Sequence, residues 1–273
     1  MSDLMRIYSN VQAMKSMNSL SNINEKIGMH QLRLATGKRI NSAAEDPAGY
    51  QLARSLETRR RGLDAALQNV SQAKNVMNVA ESGYQNIMDI LQTIKEKATQ
   101  AADYSLSDTQ RQSIDDQVNA LIEEVDQIVV ETTFNGDGLI DGGYSGAFHT
   151  GEGATDELNI SLGNGDSASL SVNGIDMTTV NGASTAIATA AAAIDTLASR
   201  IQEVGEYKVR LASKESTLGV AITNADATRS VIEDADFAKE QMEVLKLQIL
   251  QQTAVSSLAQ ANSAPQVVLA LFK

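Results

Sequence analysis

LARSLETRRRGLDAALQNVSQAKNVMNVAESGYQNIMDILQTIKEKA, residues 52–98, carries an apolar stripe at Leu52, Leu56, Leu63, Ala66, Val70, Ala73, Met77, Ala80, Tyr84, Ile87, Leu91, Ile94 and Ala98. Only Arg59 interrupts it. Every step is three or four residues in alternation, the spacing that keeps one face of a helix against a partner. At about 1.5 Å per residue the run predicts a helix roughly 70 Å long. Asp46-Pro47 supplies its start, an N-cap acceptor followed by a proline whose missing N–H costs nothing there.

The same spacing recurs outward from this stretch. Upstream, Leu4, Ile7, Val11 and Met14 begin a shorter seam that Met17, Leu20, Ile23 and Ile27 continue, ending near Thr36-Gly37. Downstream, Ser107-Asp108-Thr109-Gln110 reads as a capping box opening a third helix with its seam at Ile114, Val118, Leu121, Val125 and Ile128. A return limb runs Ile187, Ala190, Ile194, Leu197, Ile201, Val204, Lys208, Leu211, Glu215, Leu218, Ile222, Ala225, Arg229, Ile232. After Glu233-Asp234-Ala235-Asp236 a last helix carries Met242, Leu245, Ile249, Leu250, Ala254, Leu258 and Ala261, and Pro265 is expected to interrupt it before Val267, Leu269 and Leu271.

Eleven of the 18 glycines lie between Gly136 and Gly182. There the apolar residues alternate singly, at Leu158, Ile160, Leu162, then Leu170, Val172 and, after Asn173-Gly174, Ile175 and Met177. That pattern predicts one or two small β-hairpins, with Asn-Gly as a turn and solvent close by. The expected fold is mainly α: a long antiparallel helical hairpin or coiled-coil bundle with a small β-hairpin tip and the termini paired as helices. The expected divisions are terminal helices at 1–40 and 233–273, a long-helix bundle at 41–134 and 183–232, and the tip at 135–182.

The composition excludes most chemistries. The chain has 273 residues, no cysteine, two histidines and a net charge of −12. Thiolate nucleophiles, disulfides and zinc–thiolate sites are therefore absent. The acidic balance speaks against nucleic acid, whose binding rests on Lys and Arg neutralising phosphates. No stretch reaches the roughly 20 apolar residues of a membrane span, so no membrane insertion is expected. Thr133-Phe134-Asn135-Gly136-Asp137-Gly138-Leu139-Ile140 resembles half of an EF-hand loop, but Thr133 replaces the first carboxylate and Tyr144 the bidentate Glu. It reads as a Gly-rich turn leaving a helix. His30 reads as structural, His149 as a surface residue, and Arg59-Arg60-Arg61 as a solvated helix face. No nucleophile elbow or phosphate loop occurs. The expectation is a non-enzyme with no cofactor and no metal.

The terminal segments are apolar on one face and nearly uncharged elsewhere: Met1 to Asn24 holds only Asp3, Arg6 and Lys15. Apolar surface on that scale marks an interaction site. The candidate self-assembly residues are Leu4, Ile7, Val11, Met14, Leu20, Ile23 and Ile27, with Leu245, Ile249, Leu250, Leu258, Val267, Leu269 and Leu271.

The segment Ser19 to Leu56, and within it Lys38-Arg39-Ile40-Asn41-Ser42-Ala43-Ala44-Glu45-Asp46-Pro47-Ala48-Gly49, resembles the N-terminal region of bacterial flagellin. Thr133-Phe134-Asn135-Gly136 and Gln260-Ala261-Asn262 match as well, so the resemblance covers roughly 1–140 and 185–273. It marks Lys38, Arg39, Asn41, Asp46 and Gly49 as a family turn, and implies a short flagellin lacking large outer domains. Such a subunit forms a helical homopolymer with its terminal helices in the filament core. The resemblance further implies a flagellar export apparatus, a secretion chaperone, a filament cap and hook-associated proteins as partners. The location implied is the extracellular flagellum, reached without a cleavable signal peptide. A hook-associated junction protein shares these termini, and a cytoplasmic signalling coiled coil shares long heptads. Stimulatory flagellins resemble one another in a stretch that contacts an innate immune receptor. The matching positions here are Gln92, Thr93, Lys97 and Gln117, where only Gln92 keeps the family residue; a weak agonist is implied.

Overall fold

The computed structural model describes residues 10–271, with side chains to 263. Five helices account for most of it: α1 (Val11–Thr36), α2 (Pro47–Ala101), α3 (Asp108–Glu131), α4 (Val180–Glu233) and α5 (Phe237–Leu271). Between α3 and α4 lie β1 (Thr133–Phe134), β2 (Asp137–Gly138), β3 (Ser145–His149) and β4 (Glu157–Ser161), paired antiparallel as β1–β2 and β3–β4. The chain forms two compact units, one of residues 1–58 with 224–273, the other of 59–223.

The second unit is built on the stripe of α2. Leu63, Ala66, Val70, Ala73, Met77, Ala80, Tyr84, Ile87, Leu91, Ile94 and Ala98 are all buried, and with Val118 and Val125 of α3 and Leu197, Val204 and Leu211 of α4 they form one core. Ahead of Leu63 the face turns. Leu52 is half exposed while its neighbour Ala53 is buried. The polar interruptions of the α4 stripe are satisfied across the seam. Lys208 Nζ lies 2.5 Å from Glu81 Oε2, and Lys74 Nζ lies 2.6 Å from Glu215 Oε2. Residue numbers falling on α4 as they rise on α2 make the two helices antiparallel.

The capping box at Ser107 and Gln110 forms as expected. One basic residue does more than the sequence suggested. Arg111, buried, donates Nε to Ala101 O (3.1 Å), Nη2 to Asp103 O (2.8 Å) and Nη1 to Leu106 O (2.8 Å). The helix end and the turn that follows it thus have a charged donor for three of their carbonyls.

The glycine-rich segment departs from expectation in two ways. Its Asn-Gly hairpin turn lies at Asn135-Gly136, where both residues have positive φ (55° and 93°) as a type I′ turn requires. Asn173-Gly174 makes no hairpin. Leu170–Val172 and Ile175–Met177 do not pair as strands because other groups take their backbone donors. Val172 N–H bonds Ser167 O (2.9 Å) and Met177 N–H bonds Asp115 Oδ1 (2.7 Å). Second, the segment is not a thin solvated tip. Its apolar residues Leu139, Ile140, Leu158, Ile160, Leu162, Leu170, Val172 and Met177 are buried in the same core as the helices. The true partner of β4 is β3, with Phe148 opposite Leu158 and Gly146 opposite Ile160 on the inward face.

Two α3 carboxylates pin the loop before α4, Asp115 as above and Asp126, which accepts from Ser167 N and Oγ at 2.8 Å each. Tyr84 donates to Gly163 O at 2.5 Å, and burial pushes its phenol up to about 12. In the first unit, α5 is also longer than expected, since the helical backbone runs on through Pro265 to Leu271 with one N–H donor fewer.

Because Leu158 is 4% exposed, Leu158→Ala is expected to cost about 2–5 kcal/mol, the range for truncating a buried leucine. A denaturant titration followed by circular dichroism would read it. A midpoint within error of the parent would show that the β3–β4 segment does not share the helical core.

Candidate assembly surface

The first unit pairs α1 with α5, antiparallel. Asn10, which caps α1 by accepting from Ala13 N (3.0 Å), donates Nδ2 to Ala261 O (2.8 Å). Gln251 Nε2 donates to Asn24 Oδ1 (2.7 Å), and His30 Nδ1 meets Glu240 Oε2. Arg33 reaches Glu240 at 3.6 Å and Glu45 at 3.5 Å. So His30, with no carboxylate at helical spacing, has one on the opposing helix. His149 lies at the surface as expected, 3.2 Å from Glu157.

The structure divides the candidate self-assembly residues into two sets. Ile27 is buried, and Val11, Leu20, Ile23 and Leu258 are half-buried; with buried Val244, Leu247 and Ala261 they form the seam within the unit. Met14, Leu245, Ile249 and Leu250 stand exposed, as do Met17, Met242 and Val255. Ile249 is 65% exposed. The apolar stripe of the last helix is therefore largely its open face, and the inner face is set beside it at Val244 and Leu247. Leu4 and Ile7 lie outside the described residues, as do the side chains of Val267, Leu269 and Leu271.

The turn between α1 and α2 is clasped to the α4–α5 junction. Arg39 N–H donates to Glu233 O (2.6 Å), Ala235 N–H to Gly37 O (2.9 Å), and Lys38 pairs with Asp234 as a β-bridge. Glu233, 1% exposed, is the centre of the clasp. Its carboxylate meets Lys38 Nζ (2.7 Å), the Arg54 guanidinium, and Arg229 Nη1 at 3.6 Å. Arg39 Nη2 adds a bond to Ile232 O (2.5 Å), and Asn41 Nδ2 one to Lys38 O (2.9 Å). Asp46 caps α2 through Gly49 N (2.9 Å). A Cβ at Gly49 would stand 2.4 Å from Asp46 Oδ2 and 2.7 Å from Ile40 Cδ1, so both the capping carboxylate and the Ile40 side chain would have to shift to admit one. Lys38, Arg39, Asn41, Asp46 and Gly49 thus converge on one structural device. Sequence reasoning missed its centre, Glu233; the available signal was Arg229 one turn earlier on the α4 stripe.

Charge is partitioned between the units. Residues 1–58 and 224–273 hold 11 basic and 11 acidic side chains; residues 59–223 hold 11 and 23. The whole excess of −12 belongs to the second unit, and the unit with the open apolar face is neutral. Among the described residues no group of three His, Asp or Glu side chains is placed to hold a metal, and no helix is long and apolar enough to cross a membrane.

The family model for the bacterial flagellin N-terminal helical region matches residues 7–145, and that for the C-terminal helical region matches 185–272. The chain belongs to the bacterial flagellin family. Flagellin FlaB1 of Treponema pallidum is 32% identical over 98% of this chain and 100% of its own length. The flagellin of Listeria monocytogenes is 31% identical over 98% and 99%, and that of Bacillus subtilis 32% over 98% and 100%. Among solved structures, Bacillus cereus flagellin aligns with a TM-score of 0.44 at 21% identity, covering 58% of this chain and 88% of that one. As a flagellin, the chain is a structural subunit of the flagellar filament, and its length is that of a short form.

The receptor-region positions fall on α2 and α3. Gln92 is exposed, and Thr93 Oγ1 donates to Asp89 O (3.0 Å) within its own helix. Lys97 Nζ donates to Gln117 Oε1 at 2.9 Å, which joins two of the four across helices.

Removing the buried carboxylate of this flagellin would leave Lys38, Arg54 and Arg229 facing one another. Glu233→Ala is expected to cost about 3–5 kcal/mol, the range for breaking one side of a buried ion pair. The loss should be local. Hydrogen exchange would rise first across residues 33–46 and 230–240, while amides around Tyr84 keep their protection. Unchanged exchange in the turn would show that Glu233 does not hold it.

Proposed function

We propose that this flagellin polymerises through the open apolar face of α1 and α5, covered in the filament by the same helices of neighbouring copies. One observation carries the reading. Met14, Met17, Met242, Leu245 and Ile249 are exposed on helices whose other faces are already paired. A contact between unlike faces whose rotation does not close generates a helix, hence a filament. The zero net charge of this unit removes the repulsion that would oppose close packing, while the acidic second unit is suited to solvent. Export through the flagellum's own secretion channel without a cleavable peptide, a secretion chaperone, insertion beneath the filament cap and attachment above hook-associated proteins belong to the same proposal. They rest on family membership. The role is structural and uses no catalytic group.

Ile249→Asp would place a charge on that face, where burial is costly unless the charge is paired. Polymer that sediments should be lost, with the far-ultraviolet circular dichroism of the subunit unchanged. Filaments forming at the parent concentration would overturn the reading.

We also infer weak recognition by the innate flagellin receptor, on the Lys97–Gln117 hydrogen bond. A lysine and an amide tied to each other occupy positions where stimulatory relatives present a leucine and a glutamate. Anchors of this kind cost an interface about 2 kcal/mol or more when lost. Reporter-cell titration should show the triple change Thr93→Arg, Lys97→Leu, Gln117→Glu signalling at far lower dose than the parent. Equal potency of the two would refute the inference.

A further inference from the structure

The thioethers of this chain are unevenly placed. Of the nine methionines, six lie in residues 1–58 and 224–273 and three in the larger unit. Among the described residues, Met77 and Met177 are fully buried and Met29 and Met88 half-buried. The exposed ones are Met14, Met17 and Met242, at 62%, 62% and 64%. All three stand on the open face of α1 and α5, beside apolar residues that peroxide leaves untouched. Solvent therefore reaches a readily oxidised sulfur on the surface offered for assembly, whereas the core of the second unit shields its own.

We propose that Met14, Met17 and Met242 are a modification site at which a hydroperoxide switches off the unassembled subunit. The inference rests on the reading that this face joins neighbouring copies. The thioether sulfur attacks one oxygen of hydrogen peroxide, so an S–O bond forms as the O–O bond breaks. Sulfur is oxidised by two electrons, the peroxide is reduced, and the departing oxygen leaves as water after taking up the transferred proton. The product sulfoxide is polar and accepts hydrogen bonds strongly. Burying it against apolar helices strips that acceptor of water without providing a donor. A subunit oxidised in solution fails to join, and one already in the polymer has its sulfurs covered and resists the reagent.

The test uses the full chain. Subunits treated with graded hydrogen peroxide are mapped by peptide mass spectrometry and then polymerised, with sedimentation giving the critical concentration. Oxidation at the three positions should raise it by about tenfold or more, since burying one methionine is worth at least a tenfold change in binding. The volume-conserving variant Met14→Leu/Met17→Leu/Met242→Leu is compared only with its own untreated critical concentration, which peroxide should leave unchanged. A treated parent that polymerises at its untreated concentration overturns the proposal, as does a variant that loses as much as the parent. A second measurement stands whatever the variant does. When half-oxidised parent is polymerised, sulfoxide at these positions should be enriched in the supernatant, and equal content in pellet and supernatant overturns the proposal. The assembly reading itself is judged without peroxide, by Ile249→Asp, so the two can fail separately.

Discussion

The rest of the structure depends on burial along one helical stripe, from Leu63 to Ala98 of α2. Each step of three or four residues returns a side chain to the same face, so the eleven residues of the stripe contribute continuously to one core. At about 25 cal/mol per Å² of apolar surface, no polar contact in the unit compares with that total. Polar groups instead settle what burial leaves undecided. Lys74 with Glu215 and Lys208 with Glu81 pair the polar positions of α2 and α4 across the seam. Arg111 closes the turn into α3, and Asp115 and Asp126 bring the strandless loop back onto the helices.

The first unit works under a different constraint. Two helices can bury only one face each against the other, so a helix that is apolar on more than one face keeps the remainder exposed. α5 is such a helix. Val244 and Leu247 turn inward while Leu245, Ile249 and Leu250 stay outside. A protein selected to remain monomeric would carry charge at those positions. This one carries methionine, leucine and isoleucine, and it concentrates the acidic excess in the other unit, where it does not oppose association. The Glu233 clasp complements this arrangement. It gathers the ends of α1, α2, α4 and α5 about one buried carboxylate, so that the orientation of the paired helices is held by directional contacts and not by apolar area alone.

Much of this could be read from residue order, and the reasons are local. The alternation on α2 from Leu63 onward and on α3 and α4, the capping box at Ser107 and the Asp46-Pro47 start depend on neighbours a few residues apart, and each is found as expected. The Lys38–Gly49 turn was legible as a family feature, but its purpose was not, because Glu233 lies about 190 residues away. The glycine-rich segment was misread for a related reason. Asn-Gly occurs four times, at 135–136, 164–165, 173–174 and 181–182, and the dipeptide is suited to a turn in each place. Only the first is flanked by strands that pair; at 173–174, Asp115 and Ser167 have claimed the donors.

Residue order is enough to locate the helices and their apolar stripes and to show that cysteine is missing and histidine scarce, because periodicity and composition are properties of the chain alone. It also determined that the termini carry more apolar surface than a helix pair can hide. Which of those apolar residues are hidden is settled by packing. The difference between Val244 inside and Leu245 outside is a rotation of about 100° about the α5 axis, set by how that helix meets α1 and by the clasp at Glu233. Likewise, Leu158 is buried because a strand twelve residues upstream, Ser145–His149, pairs beside it and both rest on the long helices. Long-range packing chooses among faces that local sequence makes equally available.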